Sequence, residues 1–559
     1  MVEKADFDSL SKDKFDLIII GGGITGAGLF RQTAALGWKV LLLEAKDFAS
    51  GTSSRSTKLI HGGIRYLQNG EWRLVAEGAR ERQRILQLAP HLARPVDLLL
   101  TAPNLFLAIK YWLGVSLYEW LGRVRRADRH RLLWGRRLSA FEPALNHQKF
   151  PFGIVYREYL TDDARLVLAN IRAGCADGGV AINYAPVTAL HEEVDETSGY
   201  VGGVVVTQNG AEQVLRADLV VNAAGPWVAD ILAMDGATDN ALVLSKGVHV
   251  VVTAADLPIA QPCMLVAHDA RPIFVIPSDT VVYIGTTDTR FEQGDPYWPG
   301  VEQQEVDYLL DQVNAYFKVN LTDNQVVGSW AGIRPLIAER KERQAGSRPN
   351  SADGQSGRAD PEVSVRTSEV SRKDEVWLSP RGLFTIAGGK LTGYLKMSER
   401  VVAALVRQCP RLGRSTLPSL DRLPGAQLGL SPKQVVRRLQ QTVNIDPKVL
   451  EGLALRYGDE AVKVIALGQN PIAQDLPVLT GEVVWALRQE SAKTLEDVVY
   501  RRLGLPLYQP ERASASLTAI SLLMSHHLGW DEHRRLREVE QTAARLKTDL
   551  VFESNSAAD

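Results

Sequence analysis

A glycine-rich turn near the start of the chain has the spacing of a dinucleotide-binding loop. The segment GGGITG at 21–26 contains the pattern GxGxxG, follows an apolar run and precedes a helical pattern and a second apolar run that ends at Glu44. In such loops the first glycine allows the tight turn, the second admits a pyrophosphate and the third lets the helix pack on the strand. Gly21, Gly23 and Gly26 are therefore predicted to bind phosphates, and Glu44 to bind ribose hydroxyls. This context disfavours the alternative, a turn without a ligand.

The spacing of this turn does not distinguish NAD from FAD. Two later segments, LVVNAAG at 219–225 and LFTIAGGK at 383–390, each have the pattern of a strand that ends in a turn of small residues. An FAD protein surrounds a long cofactor with distant segments, whereas the fingerprint of a nicotinamide enzyme is more self-contained. The sequence therefore favours FAD.

The predicted secondary structure that must position the cofactor-binding residues changes along the chain from alternating strands and helices to an antiparallel sheet and then to helices. Phe15–Ile20 and Trp38–Leu43 are predicted strands that flank a helix at Ile24–Leu36. The β-branched runs between about residues 241 and 287 predict an antiparallel sheet. Helical spacing dominates after about residue 425. The predicted fold is α/β, with a Rossmann-like FAD-binding domain, an antiparallel-sheet substrate domain and a C-terminal helical domain.

The predicted domain boundaries make the FAD-binding domain discontinuous. We assign residues 1–90, 150–240 and 376–410 to the FAD-binding domain, 91–149 and 241–340 to the substrate domain, and 411–550 to the helical domain. Residues 341–372 are polar and rich in Ser, Gly, Pro and Arg, which predicts a flexible loop that includes at least 341–362. Residues 551–559 are expected to form a frayed tail.

The composition is that of an ordinary globular protein and argues against several functional and structural classes of protein. The 64 basic residues nearly cancel the 65 acidic residues, which argues against a general nucleic-acid binder. Cys175, Cys263 and Cys409 are widely spaced, so we expect neither a disulfide framework nor a metal site. A charged start of the chain and the lack of a long apolar run predict a cytoplasmic protein without a signal peptide or a spanning helix. A homo-oligomer is compatible with the sequence.

The stretch GTSSRSTKLIHGGIRY at 51–66 closely resembles the signature of the FAD-dependent glycerol-3-phosphate dehydrogenases, a group of D-amino-acid-oxidase-like flavoproteins. Further matching segments follow in order: LTDDARLVLAN (160–170), VNAAGPW (221–227), SKGVHVVV (245–252), IPSDTVVYIGTTDT (276–289), WAGIRPL (330–336), SRKDE (371–375), LFTIAGGKLTGY (383–394) and ESAKTLEDVVYRRLG (490–504). The resemblance covers nearly the whole chain. It implies oxidation of sn-glycerol 3-phosphate to dihydroxyacetone phosphate, with hydride passing to flavin N5 and electrons to a quinone.

The resemblance also implies which residues contact FAD. Along the pyrophosphate and the ring system it places Ser53, Ser54, Thr57, Lys58 and Leu59. It gives Val187 a backbone contact near the adenine, and Ala223 and Gly225 positions beside the ribityl chain. Over the flavin end it places Gly389, Lys390, Leu391 and Thr392.

Four cations in the matching motifs imply a phosphorylated substrate, because a phosphate dianion needs several charge-assisted donors. Arg334 and Arg372 are assigned mainly to the phosphate. Arg65 and Lys390 are placed nearer the reacting carbon, and Tyr66 is expected to donate a hydrogen bond to the substrate.

Two histidines are candidates for the base that removes the hydroxyl proton, because neutral imidazole titrates in a suitable range. His249 is the favoured base. His61 is expected to pack against the flavin.

Two departures from the family pattern keep alternatives open. Leu395 stands where many members carry Arg, and the polar loop at 341–362 is longer than in typical dehydrogenases, in a region where related oxidases carry an insertion. The chain could therefore be an H2O2-forming glycerol-3-phosphate oxidase. An amine or amino-acid oxidase and a flavin-binding sensor protein are the remaining alternatives.

One segment has the composition of a membrane anchor. Leu105–Leu121 is apolar and aromatic but contains Lys110 and Glu119, so it is too short and too charged to span a bilayer. The arginine-rich segment 123–137 follows it. This order is typical of a helix that lies in the membrane interface with cations on anionic lipid. The alternative is a buried helix followed by a solvated basic loop.

Overall fold

The computed structural model of the chain describes residues 7–63, 71–194, 199–208, 211–237, 242–337, 374–413, 419–474 and 476–553. Three of the predicted site residues, Arg65, Tyr66 and Arg372, lie outside these ranges, as does the loop predicted at 341–362.

The strands of the described ranges, in chain order, are β1 (Lys14–Ile20), β2 (Val40–Glu44), β3 (Leu59–Ile60), β4 (Arg94–Ala102), β5 (Arg131–Trp134), β6 (Phe152–Leu160), β7 (Val180–Asn183), β8 (Val187–Val194), β9 (Gly199–Gln208), β10 (Ala211–Asn222), β11 (Leu242–Thr253), β12 (Cys263–Val266), β13 (Pro272–Ser278), β14 (Val281–Gly285), β15 (Thr289–Arg290), β16 (Val301–Glu302), β17 (Val326–Ile337), β18 (Glu375–Leu378), β19 (Phe384–Ala387) and β20 (Phe552–Glu553).

The helices of the same ranges are α1 (Phe7–Leu10), α2 (Ile24–Ala35), α3 (Trp72–Leu88), α4 (Leu105–Leu121), α5 (Gly135–Phe141), α6 (Asp163–Ala176), α7 (Val228–Met234), α8 (Gln303–Tyr316), α9 (Tyr394–Gln408), α10 (Pro432–Gln440), α11 (Pro447–Tyr457), α12 (Ala461–Leu467), α13 (Thr480–Gln489), α14 (Leu505–Tyr508), α15 (Pro510–Leu528) and α16 (Glu532–Thr548).

The first sheet confirms the predicted Rossmann-like core. Its central strands run in the order β19-β10-β1-β2-β7 and are parallel, with β18 antiparallel at one edge. The runs LIII of β1 and VLLL of β2 are buried because helices and strands cover both faces of a parallel sheet. Leu29 and Phe30 of α2 pack into the same core, which fixes the turn at Gly21–Gly26 at the carboxyl end of β1.

The second sheet is largely antiparallel, as predicted from its β-branched strands. Its order is β15-β11-β14-β13-β12-β4-β6-β3, and β17 pairs with β11 along almost its whole length. One boundary differs from the prediction. Residues 152–160 were expected in the FAD-binding domain, but β6 pairs with β4 from Phe152 to Leu160 and so belongs to the second sheet. That pairing partner lies about 60 residues away in the chain, beyond the reach of local patterns.

The C-terminal helices are fastened to the first sheet by buried charges. The carboxylate of Asp47, just after β2, accepts hydrogen bonds from Arg501 (2.6 Å from Nε) and from both terminal nitrogens of Arg502. Glu490 accepts from Arg165 of α6 at 2.8 Å, and its backbone carbonyl accepts from Arg502. All of these side chains are almost completely buried.

The end of the described chain also differs from the predicted frayed tail. Phe552–Glu553 forms the short strand β20, which pairs in parallel with β16. Just before it, the carboxylate of Asp549 accepts hydrogen bonds from the Trp298 indole at 3.1 Å and the Tyr500 hydroxyl at 2.7 Å. These partners come from distant parts of the chain, so the composition of the tail alone does not reveal them.

Candidate active site

The turn after β1 requires glycine at two of the predicted positions. Gly21 has φ +111°, and a Cβ there would lie 2.6 Å from the carbonyl oxygen of Ala223. A Cβ on Gly26 would lie 1.9 Å from the carbonyl oxygen of Gly21. Backbone cannot yield as a flexible side chain can, so any side chain at either position would open the turn.

The amino terminus of α2 is shaped by Gly23, Ser53 and Glu44. Gly23 supplies no capping side chain, and the Ser53 hydroxyl instead accepts a hydrogen bond from the Ile24 N–H at 3.0 Å. The Glu44 carboxylate accepts from the N–H groups of Gly22 at 2.7 Å and Lys46 at 2.9 Å. Burial raises the pKa of Glu44. The amino terminus of α2 thus brings together helix N–H groups, a hydroxyl and a carboxylate. These are the groups that bind the phosphates and ribose of a dinucleotide.

The segment that follows, from Ser50 to Leu59, contains five predicted cofactor residues. Thr57 contacts His249, as described below, and Ser54 bonds to the Gly51 carbonyl. The ammonium of Lys58 instead forms a buried ion pair with Asp163 and donates to the carbonyl of Ser54. The Lys58 side chain therefore stabilises the loop through Asp163 and the Ser54 carbonyl. Only the backbone of Lys58 is left to contact a cofactor.

The two later glycine segments meet the turn at the same edge of the sheet. Gly225 has φ +59° and open space where a Cβ would point, next to Ala223. Gly389 has φ +79°, and Leu391 begins a short 3-10 turn in which the Thr392 hydroxyl donates to the carbonyl of His61 at 3.2 Å. The pattern of small residues at both strand ends thus predicts their convergence.

Val187 lies at the start of β8, apart from the residues that line the cavity described next. Its backbone pairs with Val206 of β9. The structure places it beyond the carboxyl end of β7, on the same edge as Glu44.

A cavity of about 690 Å³ joins the flavin-side residues to the second sheet. Among the predicted residues, its lining includes Ser53, Thr57, Leu59, His61, His249, Arg334, Gly389, Lys390, Leu391 and Thr392. On the other side it is lined by Lys110, Tyr111, Gly114 and Leu117, which form one face of α4. The cavity therefore connects the predicted reacting end with the predicted anchor helix.

Arg334 extends from β17 toward this cavity and is 23% exposed. Its guanidinium donates to the Thr286 hydroxyl at 2.8 Å and to the Thr287 carbonyl at 3.2 Å, and lies 3.7 Å from the carboxylate of Asp288. A Cβ on Gly247 would lie 2.1 Å from its terminal nitrogen, so the glycine makes room for the cation. These hydroxyl, carbonyl and carboxylate acceptors fix the orientation of the guanidinium at the wall of the cavity.

His249 is 1% exposed and stacks on Trp330 with ring centroids 4.7 Å apart. Its Nε2 lies 2.9 Å from the Thr57 hydroxyl. Burial, followed by the charges of Arg334 and Lys58, lowers the pKa of His249 well below its ordinary value. The ring is therefore neutral and weakly basic, and its Nε2 is already engaged by Thr57.

His61 is partly exposed at the cavity and contacts Phe274 edge to face, with ring centroids 5.6 Å apart. It belongs to the loop that follows β3, directly opposite the Thr392 turn. Of the two predicted histidines, His61 has the more accessible ring.

Sequence reasoning missed four residues that shape the cation site and the loop. Thr286, Thr287 and Asp288 hold Arg334, and Asp163 holds Lys58. All four lie inside segments that match the family pattern, but only their contacts in the structure show that they hold Arg334 and Lys58. Arg271, a further cation, lines the same cavity and was also missed.

Comparison with protein families gives two matches on this chain. Residues 16–361 match the family described as FAD dependent oxidoreductase. Residues 421–535 match the C-terminal domain of alpha-glycerophosphate oxidase.

Similar proteins cover almost the whole chain. An aerobic glycerol-3-phosphate dehydrogenase of Staphylococcus aureus (strain USA300) is 36% identical over 89% of this chain and 88% of its own length. The protein of the same name from Bacillus subtilis (strain 168) is 33% identical over 97% and 96%. The crystal structure of the glycerol-3-phosphate dehydrogenase from Bacillus halodurans complexed with FAD superposes with a TM-score of 0.76 at 29% identity, covering 98% of this chain and 97% of that one.

Proposed function

The chain belongs to the family of FAD-dependent oxidoreductases, and we propose on this basis that it oxidises sn-glycerol 3-phosphate to dihydroxyacetone phosphate. Similarity to proteins named glycerol-3-phosphate dehydrogenase extends over nearly its full length. The observation within the structure that carries the proposal is the position of Arg334, a guanidinium held by Thr286, Thr287 and Asp288 that lines the same cavity as His61, Lys390 and Thr392.

The residues at the first sheet fit FAD. Gly225 leaves open space, Gly21 and Gly26 permit a turn that no side chain allows, and Ile24 at the first turn of α2 lines the cavity. FAD supplies the hydride acceptor for the carbinol carbon. Glu44 would accept from the ribose hydroxyls and the α2 amino terminus would face the phosphates.

The protein's own groups bind the phosphate and take the proton. Arg334 would donate to phosphate oxygens, and Lys390, which lines the same cavity, would add a second positive charge. We assign the base to His61 rather than to His249, because His249 is buried, engaged with Thr57 and weakly basic. His249 instead fixes the Thr57 hydroxyl beside the cofactor loop. Arg65, Arg372 and Tyr66 retain the substrate-binding roles that the family resemblance implies.

The proposed electron acceptor is a membrane quinone, and α4 carries this part of the proposal. Phe106 is 77% exposed and Trp120 74% exposed on α4, and Leu105, Ile109, Trp112 and Leu113 are exposed beside them. Exposed arginines of segment 123–137 follow. Contiguous exposed apolar and aromatic side chains beside cations are typical of an interfacial helix. Within the described ranges, none of the helices has both the length and the apolar character that a bilayer crossing demands.

The position of the cavity beside α4 also supports a quinone as the proposed electron acceptor. The face of α4 formed by Lys110, Tyr111, Gly114 and Leu117 lines it, while the neighbouring face is exposed. An apolar acceptor that leaves the lipid along α4 would therefore have a short route toward the flavin.

An anaerobic rapid-mixing experiment tests this function. The purified holoenzyme is mixed with sn-glycerol 3-phosphate, then with a soluble quinone or with oxygen. We expect substrate to bleach the flavin and the quinone to restore its absorbance much faster than oxygen. Fast restoration by oxygen would indicate an oxidase. Bleaching by an amino acid but not by glycerol 3-phosphate would refute the substrate assignment.

A further inference from the structure

The loop that carries His61 has little conformational preference of its own. His61 is followed by Gly62 and by Gly63, whose φ is +72°. Glycine populates many backbone conformations, so a loop with two of them costs more entropy to fix than most loops. A histidine that must meet a substrate atom therefore needs tertiary contacts that hold its backbone.

Two contacts hold this backbone from opposite sides. The carbonyl of His61 accepts from the Thr392 hydroxyl at 3.2 Å. The N–H of Gly62 donates to the hydroxyl of Tyr118 at 3.2 Å. Tyr118 comes from α4, on the side opposite the Thr392 turn, so the loop is fixed between the flavin-side turn and the anchor helix.

The Tyr118 hydroxyl is itself rigidly placed. It donates to Oε1 of Glu158 at 3.0 Å, and Oε2 of Glu158 accepts from Arg82 at 2.7 Å. All three side chains are almost completely buried. Burial raises the pKa of Tyr118 well above its ordinary value, so the hydroxyl keeps its proton and remains a donor to Glu158. A buried network with these groups paired to one another specifies one geometry.

Packing around Gly62 adds to this fit. A Cβ on Gly62 would lie 2.4 Å from the Tyr118 ring, and a Cβ on Gly78 of α3 would lie 3.1 Å from the Gly62 carbonyl oxygen. The backbone of Gly62 is thus enclosed between two helices. The hydroxyl of Tyr118 supplies the directional contact in that enclosure.

We propose that Tyr118 is a positioning residue for the reaction, because its hydroxyl fixes the Gly62 N–H and thereby sets the place of the His61 imidazole at the cavity. This inference rests on the proposed function, in which His61 accepts the substrate proton. It gives α4 a second proposed role, in which its buried Tyr118 positions the His61 loop while its exposed side contacts lipid.

The test is a double-mutant cycle on the holoenzyme with a soluble acceptor. Tyr118→Phe removes the hydroxyl and keeps the ring that packs on Gly62. We expect kcat for glycerol 3-phosphate to fall roughly 10- to 100-fold, since small displacements of a reacting group have effects of this size. KM should change by less than about threefold, because the phosphate contacts remain. In a His61→Ala background the same substitution should lower kcat by less than about twofold.

Tyr159→Phe is the matched control. Tyr159 lies in the same cluster, where its hydroxyl accepts from Gln83 at 2.8 Å and its ring packs near Arg82. Among the hydrogen bonds that the structure describes, none joins its hydroxyl to the His61 loop. We expect its kcat to equal that of the wild type. Loss of a similar size in Tyr159→Phe would mean that any disturbance of the cluster slows the enzyme, and it would overturn the assignment.

A readout without turnover separates this inference from the proposed function. The midpoint potential and visible absorption of the bound flavin are recorded for Tyr118→Phe alone and for Tyr118→Phe combined with His61→Ala, each against its own parent. We expect a shift where His61 is retained and none in the His61→Ala background. Equal shifts in the two backgrounds, or an unchanged kcat in Tyr118→Phe, would overturn the inference. Failure of the wild type to react with glycerol 3-phosphate would instead refute the function, while the potential still tests Tyr118.

Discussion

Individual side chains in this cavity owe their properties to what surrounds them more than to their type. Arg334 is held at the wall of the cavity by the oxygens of Thr286 and Thr287 and by the Asp288 carboxylate, and its side chain stays 23% exposed. His249, only one strand away, is neutral because it is buried beside positive charges. The motifs identified both residues as candidates, but burial decides which one can act on a substrate.

Replacement of Arg334 by Ala should weaken transition-state binding by about 2–4 kcal/mol, because one substrate charge loses its partner. The measurement is kcat/KM for glycerol 3-phosphate. Arg290→Ala is the control, since Arg290 is an exposed cation paired with Glu292 on the same sheet. An unchanged kcat/KM in Arg334→Ala would remove this residue from the substrate site.

The lowered pKa of His249 predicts a dependence of stability on pH. The unfolded chain protonates His249 below about pH 6.5, whereas the folded protein resists protonation there. The free energy of unfolding should therefore be fully present above that pH and fall by about 1 kcal/mol per pH unit below it from this group. His249→Asn should make the decline shallower in denaturant titrations, and His533→Asn, at an exposed position, should leave it unchanged. Equal slopes in all three proteins would contradict the buried neutral histidine.

At the scale of elements, α4 presents two different faces. Its exposed face carries Phe106 and Trp120, while Lys110, Gly114 and Leu117 line the cavity. A helix that is buried on all sides, the alternative considered from the sequence, would not leave these aromatic rings in solvent.

The exposed face should bind lipid. Burial of an aromatic side chain contributes about 2 kcal/mol, so the double variant Phe106→Glu, Trp120→Glu should bind anionic vesicles more than about tenfold more weakly. Co-sedimentation measures this binding. Leu536→Glu changes a similarly exposed apolar residue on α16 and should bind as the wild type does. Unaltered binding of the double variant would exclude α4 as the contact.

The inner face should admit the acceptor. A Cβ at Gly114 meets no atom within 4 Å, so Gly114→Trp can place its ring in the cavity without a backbone clash. We expect the variant to be reduced by glycerol 3-phosphate at the normal rate and reoxidised by quinone at least about tenfold more slowly, because the ring fills the part of the cavity beside α4. Gly114→Ala should behave as the wild type. Normal reoxidation of the Trp variant would place the quinone route elsewhere.

How far the elements could be predicted depends on whether their signal is local. The apolar runs and glycine spacing predict β1, α2 and β2 to within a few residues, and the β-branched runs predict β11, β13 and β14. The assignment of β6 to the second sheet and the pairing of β20 with β16 depend on partners far along the chain. The same limit applies to the site, since Asp163, Thr286 and Tyr118 acquire roles only through tertiary contacts.

At the scale of the whole molecule, buried charges join parts of the chain that lie far apart in sequence. Asp47, Arg501, Arg502, Glu490 and Arg165 join the first sheet, α6 and the C-terminal helices in one buried network. The segment 490–504, which the sequence marks only as a family motif, supplies three of these five residues.

Removal of one charge from this network should destabilise the protein strongly. Glu490→Gln leaves Arg165 without its carboxylate partner in the interior, and a broken buried pair costs about 3–5 kcal/mol. Thermal or denaturant unfolding of the holoenzyme measures the loss. Lys463→Gln removes a cation whose side chain is 65% exposed, while its partner Glu460 keeps the ion pair with Arg172, so stability should change by less than about 1 kcal/mol. Similar effects of the two substitutions would show that the buried network contributes no more to the free energy of unfolding than an exposed cation does.

The order of strands in the first sheet has a consequence for biosynthesis. The strand β10 lies between β1 and β19, yet β19 ends at Ala387, long after β1 has left the ribosome. Translation at about 5–20 residues per second leaves the sheet incomplete for roughly 20 to 70 seconds. During that interval the Gly21 turn exists without the Gly389 turn that faces it. The two glycine turns can therefore face each other across the cofactor site only once the chain has been made past residue 389.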